Sequence, residues 1–336
     1  TGSGTVAITK NFNASSGNLS ITTTNTSASA INIAGDSGIG INTTGTVSLN
    51  AGGDISVTGS VTAASVNAKS TAGDVIFANT VTTSSVGGFT SEATLSTKAT
   101  KIANLVSVGA GASALVTGNL VTTAANVPEI NVTATGTINI TGKVDASLAG
   151  YDLKVTALNG DITIGGAVGA SGLLDELNAS GKTSFTANGT VTAAYINIGF
   201  SSTDFAKSIN FADAVKATGG NGFALAVDAS GLGTINFSKG IEITDATADM
   251  YLESVNGNIT VTGNIISNGN EVYVESSGAG NISVAGISTI SDDITVISGT
   301  GNITISGAIS TSGNNSYIEI DTITSGAIII NGNITA

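Results

Sequence analysis

The sequence predicts an all-β fold, specifically a parallel β-helix (three-sided β-solenoid). Three observations carry that expectation: a unit of roughly 23 residues recurs along the chain, apolar residues alternate within each unit, and Gly or Asn punctuates the points between strands.

The recurrence is plainest near the C-terminus. Met250-Tyr-Leu-Glu-Ser-Val-Asn-Gly-Asn-Ile-Thr-Val-Thr-Gly263 is followed by Val272-Tyr-Val-Glu-Ser-Ser-Gly-Ala-Gly-Asn-Ile-Ser-Val-Ala-Gly286, and then by Ile294-Thr-Val-Ile-Ser-Gly-Thr-Gly-Asn-Ile-Thr-Ile-Ser-Gly307. The anchors Asn258, Asn281, Asn302 and Ala327 are 23, 21 and 25 residues apart. Shorter copies lie upstream at Asp54–Gly59, Thr137–Gly142, Asp161–Gly165 and Thr234–Ser238. Alternation has period two: Ile259 and Val261 point one way, Thr260 and Thr262 the other. Gly and Asn every six to nine residues supply the backbone conformations that tight corners need. An antiparallel meander would not bring like residues back once per full period. Three strands per unit therefore make one coil, and the chain gives about 14 coils, each advancing by one strand spacing of about 4.8 Å. Stacked coils place Asn258, Asn281 and Asn302 in a structural ladder, with Ile259, Ile282 and Ile303 in a buried one beside it.

The chain reads as one solenoid domain over residues 1–336, with irregular insertions near 83–114 and 166–182. In the first, Leu95, Ala99, Ile102 and Leu105 stand at nearly helical spacing; in the second, Gly172–Asn178 suggests one helical turn. The sole proline, Pro128, marks an irregular coil.

Composition excludes several classes of function. Nucleophile triads and most metal sites need His or Cys, and the sequence has neither. Gly181-Lys182-Thr183 imitates the end of a phosphate loop, but Glu176 stands where its first glycine is required. Clustered carboxylates with arginine, histidine and aromatic platforms, as β-helix enzymes use, are nearly missing, so no enzyme is expected. The net charge is −13, and all of the ten cations are lysines in residues 1–239; residues 240–336 carry ten acids and no cation. Nucleic acid is thereby disfavoured as a partner. No run approaches ~18 apolar residues, so no membrane span is expected. The chain begins at Thr1 with no methionine or leader, which reads as a processed chain or an excised fragment.

The run Gly52-Gly-Asp-Ile-Ser-Val-Thr-Gly-Ser-Val-Thr-Ala-Ala-Ser-Val-Asn-Ala-Lys-Ser-Thr-Ala-Gly-Asp-Val75 resembles the repeats of filamentous-haemagglutinin-type exoproteins and autotransporter passengers, and surface-layer and extracellular-filament subunits share the same Thr/Ser/Gly/Asn-rich, acidic character. The resemblance implies secretion, a place outside the cell or at its surface, and a stiff, often adhesive, scaffold.

Two sets of residues are candidates for function. Glu253 and Glu275 fall at equivalent outward positions one coil apart, with Asp321 aligned two coils further. Like charges at that spacing repel by about 1 kcal/mol at an exposed surface, which a divalent cation such as Ca2+ would relieve. A solvated acidic face that keeps the chain soluble is the competing reading, and the stronger one. Numerous Asn-X-Ser/Thr sequons are potential glycan acceptors. At the ends, Val6 and Ile8, and Ile328 and Ile330, sit in strand-like segments with no cap, and so are candidate polymerisation edges. Two functions follow as expectations. The first is a non-enzymatic filament or surface-layer subunit joined end to end by strand addition, its partner being another copy of itself or further chain of the same exoprotein. The second is the shaft of a secreted adhesin that binds a cell-surface ligand.

Overall fold

The structure is a computed structural model that describes residues 2–336 except 36–38, 85–87, 96, 104–105, 109–111, 123–128, 149, 200–203, 221, 291–292 and 314–315. Every regular element among the described residues is a β-strand. The chain is a parallel β-solenoid of about 12 turns with roughly 24 residues per turn, close to the expected 14 of 23. It comprises two compact units, Thr1–Gly166 and Ala167–Ala336.

In the first unit three parallel ladders run side by side. One passes through Val6, Ile31, Ile55, Val75, Thr100, Leu120 and Val144. A second runs from Phe12 through Val61 and Val106 to Val155, and a third from Leu19 through Val66 and Ala114 to Ile162. The second unit repeats the scheme. Its ladders pass through Leu177, Ile196, Leu225, Met250, Val272, Ile294 and Ile318; through Phe185, Ile209, Ile235, Ile259, Ile282, Ile303 and Ile328; and through Val191, Val215, Ile241, Ile265, Ile287, Ile309 and Ile334. The step is not constant: Val57 pairs with Phe77, 20 residues on, and Val215 with Ile241, 26 on. Corners absorb most of the difference, and register shifts within paired strands, as between Phe223 and Leu225 or Val261 and Asn264, absorb the rest.

The inward positions are β-branched or small, with a few aromatics. Ile31, Ile33, Ile55 and Val57 are fully buried, as are Ile259, Ile282 and Ile303. Each such side chain withdrawn from water is worth about 1.5–3 kcal/mol. In the second unit Phe211 and Phe237 share one inward column, their rings stacked at 4.6 Å and 8°, and Phe185 in the adjoining column meets Phe211 at 5.5 Å.

One corner explains the Ser…Gly-Asn spacing of the repeat. Ser254, Ser276 and Ser298 turn inward at the ends of their strands, and each hydroxyl donates to a glycine carbonyl of the preceding coil: Gly233 at 2.8 Å, Gly257 at 3.1 Å and Gly280 at 3.1 Å. The glycines have no room for a side chain. A Cβ on Gly257, Gly280 or Gly301 would lie 1.8, 1.9 or 2.1 Å from the carbonyl oxygen of the equivalent glycine one coil earlier.

Both stretches expected to be irregular contain paired strands. Within 83–114 lie Phe89–Ala93, Ala99–Ile102 and Val106–Val108, in register with neighbours on both sides. The alternation was hidden because polar residues point inward there: Ser91 and Thr100 are fully buried and share a hydrogen bond of 2.8 Å. Near 166–182, Leu174–Gly181 is a strand rather than a helical turn. Leu174 and Leu177 both face inward with Asp175 and Glu176 between them, so the inward positions are three apart as in a helix. Leu105 and Pro128 lie outside the described residues.

Candidate functional site

The asparagine ladder forms through the backbone. The Asn258 Oδ1 accepts the Asn281 N–H at 2.8 Å, the Asn281 Oδ1 accepts the Asn302 N–H at 2.8 Å, and the Asn302 Oδ1 accepts the Ala327 N–H at 2.8 Å. Each side chain thus satisfies a donor on the next coil, a role that Asn18, Asp54, Asp74 and Asn119 fill in the first unit. This is a structural device on an exposed edge, with no convergent chemistry.

The acidic candidates lie on a different face, built by the strands Gly222–Ala229, Ala248–Ser254, Val272–Ser276, Ile294–Ser298 and Ile318–Thr322. Inward Met250, Leu252 and Ser254, matched by Val272, Val274 and Ser276, fix which residues must point out. Register puts Glu253 beside Glu275, and adds Asp228 on the other side of Glu253. Ile297 stands between Glu275 and Asp321, so Asp321 belongs to the file but is separated from the other carboxylates. No group of three or more His, Cys, Asp or Glu among the described residues is arranged to hold a metal ion. A flat file spaces its carboxylates along the sheet; it does not turn them toward one centre.

A second outward file runs two residues away. Tyr251 pairs with Tyr273, their rings 5.3 Å apart and tilted by 31°, and Phe223 meets Tyr251 edge-on at 4.5 Å and 88°. The tyrosine hydroxyls are committed: Tyr251 donates to Glu271 at 2.8 Å and Tyr273 to Glu275 at 2.5 Å. Burial, together with these carboxylates, raises the pKa of both phenols. Between the files lies an open groove of about 300 Å³, lined by Gly199, Phe223, Ala226, Val227, Asp228, Tyr251 and Glu253. A smaller recess of about 110 Å³ follows along Asp228, Glu253 and Glu275.

Electrostatically this face is one-sided. Half-burial, then the neighbouring Glu253 and Asp204, push the Asp228 carboxyl up to about 6. Burial, then Glu275, raises Glu253. No lysine is within ion-pair distance of Asp228, Glu253 or Glu275 among the described residues. Phe205, next to Asp204 and packed at 0% exposure, is the one described non-glycine residue with a left-handed backbone, at φ 48°.

Sequence reading found Glu253, Glu275 and Asp321 but not Asp228 or the aromatic file. The signal for the tyrosines was present, since Met-Tyr-Leu-Glu-Ser and Val-Tyr-Val-Glu-Ser align at one period. Phe223 and Asp228 sit in a strand with a register shift between Phe223 and Leu225, which the repeat could not reveal.

Of the edge candidates, Val6 and Ile8 are half-buried, and Ile328 is 42% exposed although its partner one coil earlier, Ile303, is wholly buried. Ile330 is half-buried opposite buried Ile305.

Comparison of the chain with protein-family models, with curated proteins and with solved structures returned no match.

Proposed function

We propose that this chain is a non-enzymatic structural scaffold outside the cell, a filament or surface-layer subunit that extends by strand addition at its coil edges. One observation carries the reading: the rung formed by Ile318–Thr322, Ile328–Ile330 and Ile334–Thr335 exposes, in whole or in part, aliphatic side chains whose partners on the preceding rung, Ile294, Ile303 and Ile309, are fully buried. Ile334 is 54% exposed, whereas its pairing partner Ile309 is fully buried. A further coil stacked on this rung, whether from another copy or from the protein's own continuation, would bury those residues and pair their backbone. The lack of His, Cys and Arg and the acidic, Thr- and Ser-rich exterior support a role outside the cell without catalysis.

The test is assembly of the purified chain at rising concentration, followed by analytical sedimentation and negative-stain imaging. End-to-end polymers that disappear on Ile328→Lys, with the fold retained, are expected. A chain that stays monomeric at every concentration overturns self-assembly. The second reading, an adhesin shaft, is favoured by the open groove on the acidic face; its test is attachment of chain-coated beads to cells and loss of attachment with Phe223→Ala.

A further inference from the structure

The groove between Phe223, Tyr251, Asp228 and Glu253 has a composition that selects its ligand. Among the described residues, the polar side chains that line it are two carboxylates and one committed phenol. Asp228 and Glu253 present carboxylates to it. The tyrosine protons are already donated to Glu271 and Glu275. The apolar wall is aromatic: Phe223 is 54% exposed, in a chain whose other described phenylalanines are mostly buried.

Three in-register carboxylates with no lysine at ion-pair distance among the described residues store repulsion, which a ligand carrying positive charge would relieve. A compact metal ion needs converging oxygens, and this file does not provide them. A sugar needs an open ring face to stack on and donors as well as acceptors. Here Tyr251 has Phe223 and Tyr273 on either side of it, and the phenolic donors are spent. An alkylammonium group meets every requirement: it carries only donors, its charge is met by carboxylates, and its methylenes lie against an aromatic wall.

We propose that this groove binds an alkylammonium group, borne either by a free polyamine or by a lysine side chain of a peptide, with Asp228 and Glu253 pairing the charge and Phe223 covering the chain. The inference does not depend on whether the protein polymerises.

Calorimetric titration of the full chain at pH 7.5 with 1,5-diaminopentane, with a short lysine-rich peptide, and with 1,5-pentanediol tests it. The diamine and the peptide bind and the diol does not. Tighter binding of the peptide identifies a macromolecular source, and equal binding per ammonium a free amine. Phe223→Ala weakens the diamine by about five-fold. Asp228→Asn weakens it by at least as much. Phe223 is largely exposed, so its truncation spares the core, and an unchanged melting temperature checks that. Glu319→Gln, on the same face beyond Thr295, serves as the control for general acidity and leaves binding unchanged. Binding of the diol as strong as that of the diamine, indifference to Phe223→Ala, or an equal loss with Glu319→Gln overturns the proposal, because each would reduce the groove to a diffuse negative surface.

Discussion

Residues 2–166 and 167–336 are built on one plan and finished differently. Both wind three strands per turn around columns of Ile, Val, Ala and Phe, with buried hydroxyls at corners and an Asx or Ser oxygen capping the next coil. On the outside they diverge. The first unit carries eight acids and six lysines, a net of −2, and pairs them: Asp74 holds Lys101 at 2.8 Å and Lys98 at 3.9 Å, and Lys69 meets Glu92 at 3.0 Å. The second carries fifteen acids and four lysines, a net of −11, and ten of the fourteen aromatics. Inward positions are constrained by every neighbour above and below. Outward positions answer only to solvent and to partners, so that is where the two halves of a common architecture acquire separate chemistry.

The comparison can be broken, first, at the interior. If the two cores are equivalent, Phe77→Ala in the first unit and Phe211→Ala in the second each cost about 3–5 kcal/mol, read by chemical denaturation. A cost below ~1 kcal/mol in one of them would show a looser core there.

Acid response sharpens the contrast. Burial pushes Asp74 upward, but hydrogen bonds from Lys101 and the Ala99 N–H, with the charges of Lys101 and Lys98, outweigh it and hold the carboxyl below its ordinary 3.8. The stability it contributes is present above that value and is lost as pH falls through the lowered pKa. Asp228 runs the other way. Its folded carboxyl titrates at about 6 against an ordinary 3.8, so the native state takes up the proton first. Asp228 therefore adds stability to the second unit as pH falls from about 6 toward 4, and contributes no pH dependence above that window. Hydrogen exchange of the full chain, corrected for intrinsic rates, should show rising protection in Gly222–Ser254 between pH 7 and 4.5 and none in Val75–Ile102. Asp228→Asn should abolish the rise.

Smaller effects follow. Asn281→Ala removes the acceptor of the Asn302 N–H and costs about 1 kcal/mol by thermal melting. Glu242→Gln breaks an exposed pair with Lys216 and costs under ~0.5 kcal/mol by the same assay; a larger loss would mean that outward charges matter to folding more than burial allows.

The winding, the strand faces and the asparagine corner were legible in the sequence because each depends on residues that recur once per coil. Ser91 and Thr100 were misleading since their pairing, not their polarity, decides that they can be buried. Leu174 and Leu177 imitated a helix because two outward residues separate them. The groove was illegible for a third reason: it joins Phe223 and Asp228 to Tyr251 and Glu253 across a register shift, and its alignment cannot be counted from a period.

The nested glycines have a consequence for how such a chain changes length. With the Gly257 backbone seated against Gly233, and Gly280 against Gly257, the corner fixes where the backbones meet and not how many residues lead to them: Ser276 stands four residues before its glycine and Ser254 three, and Ile282 still pairs with Ile259. Excising one entire circuit is accommodated too. Removal of residues 272–293 would bring Ile294 onto Met250, carry Ser298 to the place of Ser276, and close the gap with matched partners. Heritable variation in a molecule of this kind is therefore expected to include whole circuits, gained or lost by recombination between similar stretches of its gene, beside single-residue changes at its corners.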